Sequence, residues 1–598
     1  MSSSSTNNTK KTKNNNNGFD LTKYSPEDLV TLEKIIKGLT QNGVGNAASR
    51  RKRTDNYTVE EYLNNFKDER KITGVNLAEL LPGPLSISPN DATLEMNIWK
   101  ANQVSLRTGL FHRACVEMQD EAAKMHPALA KNPRAINMVV PNLIPSKDGK
   151  QIERKHVVFI SNPDDYSRIS KNHVQKYGDL AQTLGNGVLS TSDNAYWKKQ
   201  RAHLNEVFLP KMSLSKVFPT SRKRALTCAN RLKEMVENNT YVHGINIHEF
   251  FLHEAMAQLQ LGLFGMDEEF MEETNKQIRD AISGTDGVGF ANMVGPIFDM
   301  MLAVGKNDKY ATASDVVSNG NNLSSVFGPL SKSVDDAGKQ LGLPVSDQFG
   351  NMFVILFAGH DTTGHTMTWL TYELAKNPQY QERLHKEIDE FFEYLDGREM
   401  EYDDCSRLPF LTRCITEAMR LWGVVPSQTL RELQFDEYVT GKDGNPVRLP
   451  KGTPIQLQIW PKHHDPVLWG DDVEQFNPDR EFKDDEIWGD DVFRAYNPGG
   501  DRFSPFTLQP RDCLGKNFAH LEMRTILAHV YRDFKFELSQ PYKDYSIDKD
   551  GFLENSQGTM GPRDLTPEGL KSKGGRGPKM ALYVHPKIRK KVRKMSKL

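Results

Sequence analysis

The chain has 598 residues, and its 77 lysines and arginines nearly balance its 78 aspartates and glutamates, which leaves a net charge of −1. This balance excludes a general affinity for nucleic acid or for an anionic surface. The length is ample for a large core, in one large α-rich enzyme or in roughly two to four domains. The five cysteines are few, odd in number and irregularly spaced, which argues against a disulfide framework and is typical of a reducing compartment.

Residues 1–90 are predicted to form a polar, partly disordered leader that begins with a serine- and asparagine-rich stretch. It contains one short amphipathic helix, expected over Glu27–Leu39 after the cap and first-turn proline Ser25-Pro26. The basic cluster Arg50–Arg53 is interpreted as a solvated patch, with membrane docking or a nuclear address as alternatives. No run of about 18 apolar residues occurs, so we expect neither a transmembrane helix nor a secretory signal. The predicted location is cytoplasmic, soluble or peripherally attached to a membrane.

A folded domain is predicted over residues 91–586, after the boundary at Leu81–Pro84, and residues 587–598 form a basic tail. Short strands are expected at Val139–Val140 and His156–Ile160, around a turn at Ser146–Gly149. From Ser192 the pattern is mostly helical, with helices predicted over Arg222–Glu237, Ile247–Phe264, Gln348–Lys376, Gln379–Phe392 and Leu411–Trp422. Strands return at Thr453–Ile459, Phe534–Leu538 and Met580–His585. The predicted fold class is mainly α with small β-sheets.

A lone cysteine, Cys513, lies in a short loop that opens into a helix predicted from Lys516 to Arg524. A thiol at this place faces the positive end of the helix dipole and unpaired backbone N–H groups, which favour the thiolate. Such a thiolate can be a nucleophile, a redox cysteine or a metal ligand, whereas a buried cysteine can also be plain core packing. No second cysteine lies nearby, so a CxxC redox pair and a zinc cluster are excluded locally.

Cys513 belongs to a pattern F-x-x-x-x-R-x-C-x-G, formed with Phe506, Arg511 and Gly515. The pattern resembles the haem-ligand loop of the cytochrome P450 haem-thiolate monooxygenases, which usually reads F-x-x-G-x-R-x-C-x-G. The resemblance implies the cytochrome P450 fold, a heme b cofactor bound by this loop, and Cys513 as the axial thiolate ligand of the iron. Gln509 stands where the family has its first glycine. If that position needs a positive φ, glutamine costs about 1 kcal/mol; we interpret it as tolerated, and the alternative is an amide that tunes the iron.

A second motif, Ala358–Thr363 (A-G-H-D-T-T), lies in a long helix that is apolar on all sides and therefore buried. Glycine and back-bonding hydroxyls can bend such a helix and open a groove for a small ligand, or produce a bend with no chemistry. The motif resembles the oxygen-binding helix of the same family. By that resemblance Asp361 and Thr362 are the catalytic acid–alcohol pair that relays protons during oxygen activation. Ala358 replaces the glutamate that esterifies haem in one branch of the family, so non-covalent haem is expected.

Three further charged residues, Glu417, Arg420 and Arg480, match the buried Glu-Arg-Arg network of the family, which stabilises the cysteine loop from behind. Contacts with the haem propionates are implied for Trp197 and Arg201, in a W-x-x-x-R helix, and for Arg511 and Arg431. Arg431 is less well matched, because it lies slightly far beyond the preceding proline.

The resemblance implies a monooxygenase that inserts one oxygen atom from O₂ into a C–H bond. No flavin or nicotinamide motif occurs, so electrons are expected from a separate reductase. The apolar segments Phe290–Leu302, Met352–Phe357 and Val424–Thr429 indicate a lipophilic small-molecule substrate. No nucleic-acid partner is expected, and the basic stretches would allow peripheral membrane contact. The alternatives are a haem-thiolate isomerase or dehydratase acting on peroxides, which Thr362 disfavours, and a haem-binding pseudoenzyme or sensor, which Gln509 makes conceivable.

Overall fold

The computed structural model describes residues 24–41, 111–145, 152–178, 186–238, 243–283, 297–298, 300, 343–489, 491–494, 496, 498, 500, 502–544, 553–556, 559–567, 569 and 580–589. Several sequence features lie outside these ranges: the asparagine-rich start, the basic cluster Arg50–Arg53, the boundary at Leu81–Pro84, the turn at Ser146–Gly149 and most of the basic tail. The division of the chain at residues 90 and 586 stays a prediction.

Helices make up most of the described chain. They are α1 (Pro26–Gln41), α2 (Phe111–Met125), α3 (Pro163–Asn172), α4 (Asn194–Asn205), α5 (Ser215–Asn238), α6 (Ile247–Gln258), α7 (Glu268–Ser283), α8 (Val345–Lys376), α9 (Pro378–Leu395), α10 (Pro409–Leu421), α11 (Trp460–His463), α12 (Pro466–Trp469), α13 (Lys516–Asp533) and α14 (Gln540–Lys543). Short 3₁₀ turns lie at Pro127–Leu129, Pro133–Ala135, Glu206–Phe208 and Asp403–Arg407, and π turns lie at Pro210–Leu214 and Leu259–Leu263.

The strands are short and form four small sheets within the described residues. They are β1 (Met138–Pro145), β2 (Ile152–Ile160), β3 (Ile245–Asn246), β4 (Arg431–Glu432), β5 (Glu437–Thr440), β6 (Pro446–Leu449), β7 (Pro454–Leu457), β8 (Phe534–Leu538), β9 (Leu553–Ser556), β10 (Thr559–Pro562) and β11 (Tyr583–Ile588). The largest sheet has the order β1-β2-β7-β4, with β2 and β7 parallel and the other pairs antiparallel. The others are β3-β11-β8 and the hairpins β5-β6 and β9-β10. The predicted class, mainly α with small β-sheets, is confirmed.

Helix α8 runs through the main hydrophobic core and packs against α1, α6 and α10. Its run from Phe349 to Leu356 is buried throughout, as an apolar sequence on all sides predicts. Further along, the Trp369 ring stacks on Trp422, with ring centroids 3.9 Å apart. The helix is continuous through the A-G-H-D-T-T motif, so the hydroxyls of that motif do not interrupt it.

Helix α1 begins one residue before the predicted start. The Ser25 hydroxyl accepts a hydrogen bond from the Asp28 N–H at 3.2 Å, and the Asp28 carboxylate accepts one from the Ser25 N–H at 3.2 Å. This reciprocal pair satisfies two donors at the start of the helix, and Pro26 needs none there. The helix packs on α8, so this part of the leader belongs to the core.

Several other boundaries differ from the prediction; for example, α13 ends at Asp533 instead of Arg524, and α6 ends at Gln258 instead of Phe264. Helix α5 starts at Ser215 rather than Arg222 and continues through Pro219, an interior position where proline removes one main-chain hydrogen bond. The strand predicted over Met580–His585 instead covers Tyr583–Ile588, where it pairs with β8 and β3. Among the described residues, none of the helices combines the length and the apolar character needed to cross a bilayer.

Candidate functional site

The loop before α13 is closed by its own backbone. The Cys513 N–H donates to the Phe506 carbonyl at 2.9 Å, and the Thr507 hydroxyl donates to the Arg511 carbonyl at 3.1 Å. Gly515 is the residue that caps the start of α13. The loop therefore holds Cys513 beside the free backbone N–H groups of a helix start.

Phe506 anchors the same loop to α13. Its ring lies 5.8 Å from the ring of His520 and 6.0 Å from that of Tyr496, which is nearly perpendicular to it. Edge-to-face contacts of this kind stabilise aromatic clusters beyond the area they bury. Phe506 thus fixes one end of the loop, while Gly515 fixes the other.

The side chain of Cys513 is exposed, although protein atoms surround it densely enough for burial to raise the pKa of its thiol. The thiol is therefore accessible and yet lies among protein atoms. The Gly515 N–H and the charges of Lys516 and Arg201 lower this pKa, and the Asp512 carboxylate raises it. The helix start favours the thiolate as predicted, but burial outweighs that effect. A metal cation at the sulfur would restore the thiolate.

Gln509 does not occupy the strained position of the loop. The left-handed residue is Thr507, with a φ of 64°, whereas Gln509 has no positive φ. The concern that glutamine replaces a glycine needed for a positive φ is therefore wrong. The Gln509 side chain is exposed and lines a surface pocket together with Lys171 and Lys516.

Trp197 and Arg201 both contact the cysteine loop from α4, where Trp197 packs against Arg511 and Arg201 binds Asp512. Arg201 donates to the Asp512 carbonyl at 2.8 Å and to its carboxylate at 3.0 Å. Trp197 is buried, and the Arg511 guanidinium lies over its ring at 4.2 Å. The (i, i+4) spacing predicts that the two side chains lie on one face of the helix. In the structure they contact two adjacent residues of the loop, Arg511 and Asp512.

Arg511 and Arg431 are buried cations whose hydrogen bonds go to neutral groups. Arg511 donates to the main-chain carbonyls of Val174, Val188 and Thr191. Arg431 donates from Nη1 to the carbonyls of Ser170 and His173 and from Nη2 to the side chain of Gln428, while its Nε has no hydrogen-bond partner among the described residues. Within the described parts of the chain, no carboxylate pairs with either guanidinium.

This arrangement lowers the pKa of both arginines. Burial lowers the pKa of Arg431 to about 10, and burial together with the charges of Arg431 and Arg201 lowers the pKa of Arg511 to about 9. The mutual repulsion shows that the three guanidiniums share one region. Buried positive charge without a counter-anion is costly, so the region fits a ligand that brings carboxylates, as haem does.

Lys176 is a fourth basic residue of this region, and sequence reasoning missed it. It is buried, its ammonium donates to the Thr429 hydroxyl, and its backbone forms a bridge with Arg431. A single lysine in a loop carries no pattern that could have identified it. Only the pairing of distant segments places it beside Arg431.

Asp361 and Thr362 are neighbours on α8 with different surroundings. Within Phe349–Leu374 the residues that are not buried are Phe357, Ala358, Gly359 and Thr362, which give one turn of the helix an accessible side. The Thr362 hydroxyl donates to the Ala358 carbonyl at 2.8 Å. The Asp361 carboxylate is buried and accepts a hydrogen bond from the Thr559 hydroxyl. The Thr362 side chain therefore faces the accessible side of the helix, and the Asp361 side chain faces the buried side.

Glu417, Arg420 and Arg480 lie together in the core. Glu417 receives two hydrogen bonds of 2.8 Å from Arg420, and one of 3.2 Å from Arg480. Glu417 and Arg420 are both completely buried. Arg480 also pairs with Asp472 at 2.8 Å. The three predicted residues thus form one connected ion-pair network.

Part of the chain is similar to known proteins. The cytochrome P450 family model matches residues 331–560. Human cytochrome P450 4F2 is 35% identical over 203 residues, which cover 34% of this chain and 36% of that protein. Cytokinin hydroxylase of Arabidopsis thaliana is 35% identical over 193 residues, which cover 32% of this chain and 33% of that protein. The chain spans about a third of the length of the curated relatives it matches.

The fold is also shared with a solved structure. A crystal structure of a cytochrome P450 (CYP102L1) superposes with a TM-score of 0.54 and covers 78% of this chain and 94% of that one, at 17% sequence identity. The expected cytochrome P450 fold is therefore confirmed. The chain is thus similar to the cytochrome P450 family over residues 331–560, and it shares the cytochrome P450 fold.

Proposed function

We propose that this protein is a haem-thiolate monooxygenase that inserts one oxygen atom from O₂ into a C–H bond of a lipophilic substrate. The observation that carries the proposal is the accessible Cys513 thiol in the loop that also holds Arg511, which shares a region with Arg431 where no described carboxylate pairs with either arginine. Bound haem would supply the oxygen activation, and a thiolate ligand favours O–O cleavage. Cys513 would be the iron ligand, and Arg511 and Arg431 would hold the carboxylates.

The residues of α8 would supply protons. Thr362 lies on the accessible side of the helix, where its hydroxyl can orient a water molecule or a polar ligand atom. Asp361 is the adjacent carboxyl group, and burial raises its pKa, so it holds a proton closer to neutral pH. A carboxyl group and a hydroxyl placed this way suit general acid catalysis.

Replacing Thr362 with alanine is expected to uncouple electron consumption from product formation. Removal of a general-acid hydroxyl typically costs about 10²–10⁴ in rate, so product per reductant should fall at least about ten-fold while hydrogen peroxide rises. Thr366→Ala is the matched control, because Thr366 makes the same type of bond, to the Thr362 carbonyl at 2.8 Å, one turn away. Equal product yield per electron in Thr362→Ala and wild type would refute the role.

The haem is expected to be non-covalent. Ala358 lies on the accessible turn of α8, at the position where one branch of the family has the glutamate that esterifies haem. Alanine has no carboxylate to form such an ester. Acid–acetone extraction of the denatured holoprotein should therefore move all haem into the organic phase. Haem that stayed on the polypeptide would contradict this expectation.

A lipophilic substrate and a separate electron donor complete the proposal. Of the apolar segments expected to line the pocket, Met352–Leu356 is buried and Phe357 is partly exposed beside Thr362. Phe298 and Met300, from the segment Phe290–Leu302, lie in the main core. An apolar side chain beside Thr362, such as Phe357, suits a hydrophobic ligand.

The proposal is tested by oxygen-isotope labelling. The full haem-loaded chain, a reductase with its reductant, and a panel of fatty acids and terpenoids are incubated under ¹⁸O₂. A monooxygenase gives products that contain one ¹⁸O atom and form only with reductant. A product formed from a fatty-acid hydroperoxide without reductant would instead identify the isomerase or dehydratase class. Haem binding without turnover in either assay would identify a pseudoenzyme.

A further inference from the structure

The hairpin formed by β9 and β10 contacts α8 at the oxygen-helix motif. Thr559 is the first residue of β10, and its hydroxyl donates to Oδ2 of Asp361. The two residues are both buried, although 198 positions separate them in the chain. The hydrogen bond therefore joins the proposed proton-supplying carboxyl group to a separate element of the fold.

The next residue of β10 ties the hairpin down on two sides. The Met560 N–H donates to the Val424 carbonyl at 2.9 Å, and the Trp369 indole donates to the Met560 carbonyl at 3.1 Å. Val424 begins one of the apolar segments expected to line the substrate pocket. Strand β10 thus connects that segment with α8. The two hydrogen bonds of Met560 also fix the backbone next to Thr559.

Gly561 has no side chain, and the space beside it is filled by His365, which lies next to Asp361. A Cβ at Gly561 would lie 2.8 Å from Nε2 of His365, which is closer than side chains approach each other. His365 Nε2 lies 3.7 Å from Oδ1 of Asp361, and the His365 ring stacks on His248 at a centroid distance of 4.9 Å. Both ring nitrogens of His365 are buried without a hydrogen bond within the described chain. The second carboxyl oxygen of Asp361 therefore faces an imidazole.

We propose that Thr559 is a positioning residue for Asp361, and that β10 thereby sets the orientation and protonation of the carboxyl group that supplies protons on α8. The hydroxyl occupies Oδ2 and leaves Oδ1 toward His365, so the carboxyl group has one defined rotamer. The consequence for catalysis rests on the monooxygenase function proposed above. The geometry of the contact does not depend on that function.

The groups that face Asp361 define the direction of the effect. They are His360 and His365 on α8, His248 on α6, and Thr559 on β10. Burial raises the pKa of Asp361, while His360, the Thr559 hydroxyl and His248 lower it. Loss of the hydroxyl removes a donor to the charged form, so the pKa of Asp361 should rise further and the carboxyl group should stay protonated to higher pH.

Infrared difference spectroscopy of the full chain tests the contact directly. The C=O stretching band of protonated Asp361 is assigned by its loss in Asp361→Asn. In Thr559→Val, which keeps the shape of threonine, the band should move to higher wavenumber and persist to higher pH. Thr559→Ser should restore the wild-type band. If Thr559→Val does not fold, Thr559→Ala removes the same hydroxyl without adding a methyl group.

Turnover gives the second readout. Product per reductant should fall about ten-fold in Thr559→Val, the effect of one hydrogen bond to an ionisable group, and recover in Thr559→Ser. A band that is identical in wild type and Thr559→Val overturns the positioning role, whatever the activity. If the band shifts in Thr559→Val but wild type forms no labelled product, the positioning role stands and the monooxygenase function is refuted.

Discussion

Replacing Cys513 with alanine is expected to abolish the strongly red-shifted Soret band of the carbon monoxide complex. The band would require a thiolate ligand on the iron, and Cys513 is the accessible thiol at the start of α13, the position that would supply this ligand. The measurement is the carbon monoxide difference spectrum of the dithionite-reduced, haem-loaded protein. Wild type should show the band, and Cys513→Ala should lose it completely.

The matched control is Cys228→Ala. Cys228 is completely buried in α5 and belongs to the main hydrophobic core, away from the loop that carries Cys513. This variant should keep the red-shifted band. A wild-type band typical of histidine- or thiol-ligated haem would show that the loop does not hold a thiolate, and absence of bound haem would refute the whole assignment.

Local sequence patterns predicted the elements around this site well, because their signals are local. The all-round apolar run predicted α8 to within three residues at its start and gave its last residue, Lys376, correctly. The strand predicted over Phe534–Leu538 has the same bounds in the structure. The start of α5 was missed because proline disfavours a helix interior, and this helix nevertheless continues through Pro219.

Contacts between distant segments were beyond the sequence. Spacing put Trp197 and Arg201 on one helix face, but it could not show that Arg201 pairs with Asp512 while Trp197 packs under Arg511. The Asp361–Thr559 hydrogen bond is of the same kind, since nothing near either residue signals the other. Such contacts depend on how helices and hairpins pack, and a single sequence encodes that only through the whole fold.

The sequence predicted the members of the ion-pair network and a role behind the cysteine loop, but it did not predict the contacts that lead from the network to the loop. Arg420 donates to the His463 carbonyl at 2.9 Å, and the Ser504 N–H donates to Nε2 of His463 at 3.1 Å. Ser504 lies two residues before Phe506, where the cysteine loop begins. A continuous path of hydrogen bonds therefore runs from Glu417 through Arg420 and His463 to the loop that carries Cys513.

Replacing Glu417 with glutamine is expected to lower the free energy of unfolding by about 3–5 kcal/mol, because it leaves the buried guanidinium of Arg420 without its anion. Asp479→Asn is the matched control: Asp479 pairs with Arg383 at 2.6 Å, but both side chains are half exposed, and a surface pair contributes about 0–1 kcal/mol. Denaturant unfolding of the full haem-loaded chain measures both changes.

Haem retention separates a role at the loop from a general loss of stability. Because the path from Glu417 ends at Ser504, Glu417→Gln should loosen the cysteine loop and release haem at denaturant concentrations below those that melt the helices. Wild type and Asp479→Asn should both release haem at the denaturant concentration at which their helices unfold. If Glu417→Gln also lost both together, the network would stabilise the core without holding the loop. A destabilisation no larger than that of the control would show that the buried guanidinium finds another counter-charge when Glu417 is neutral.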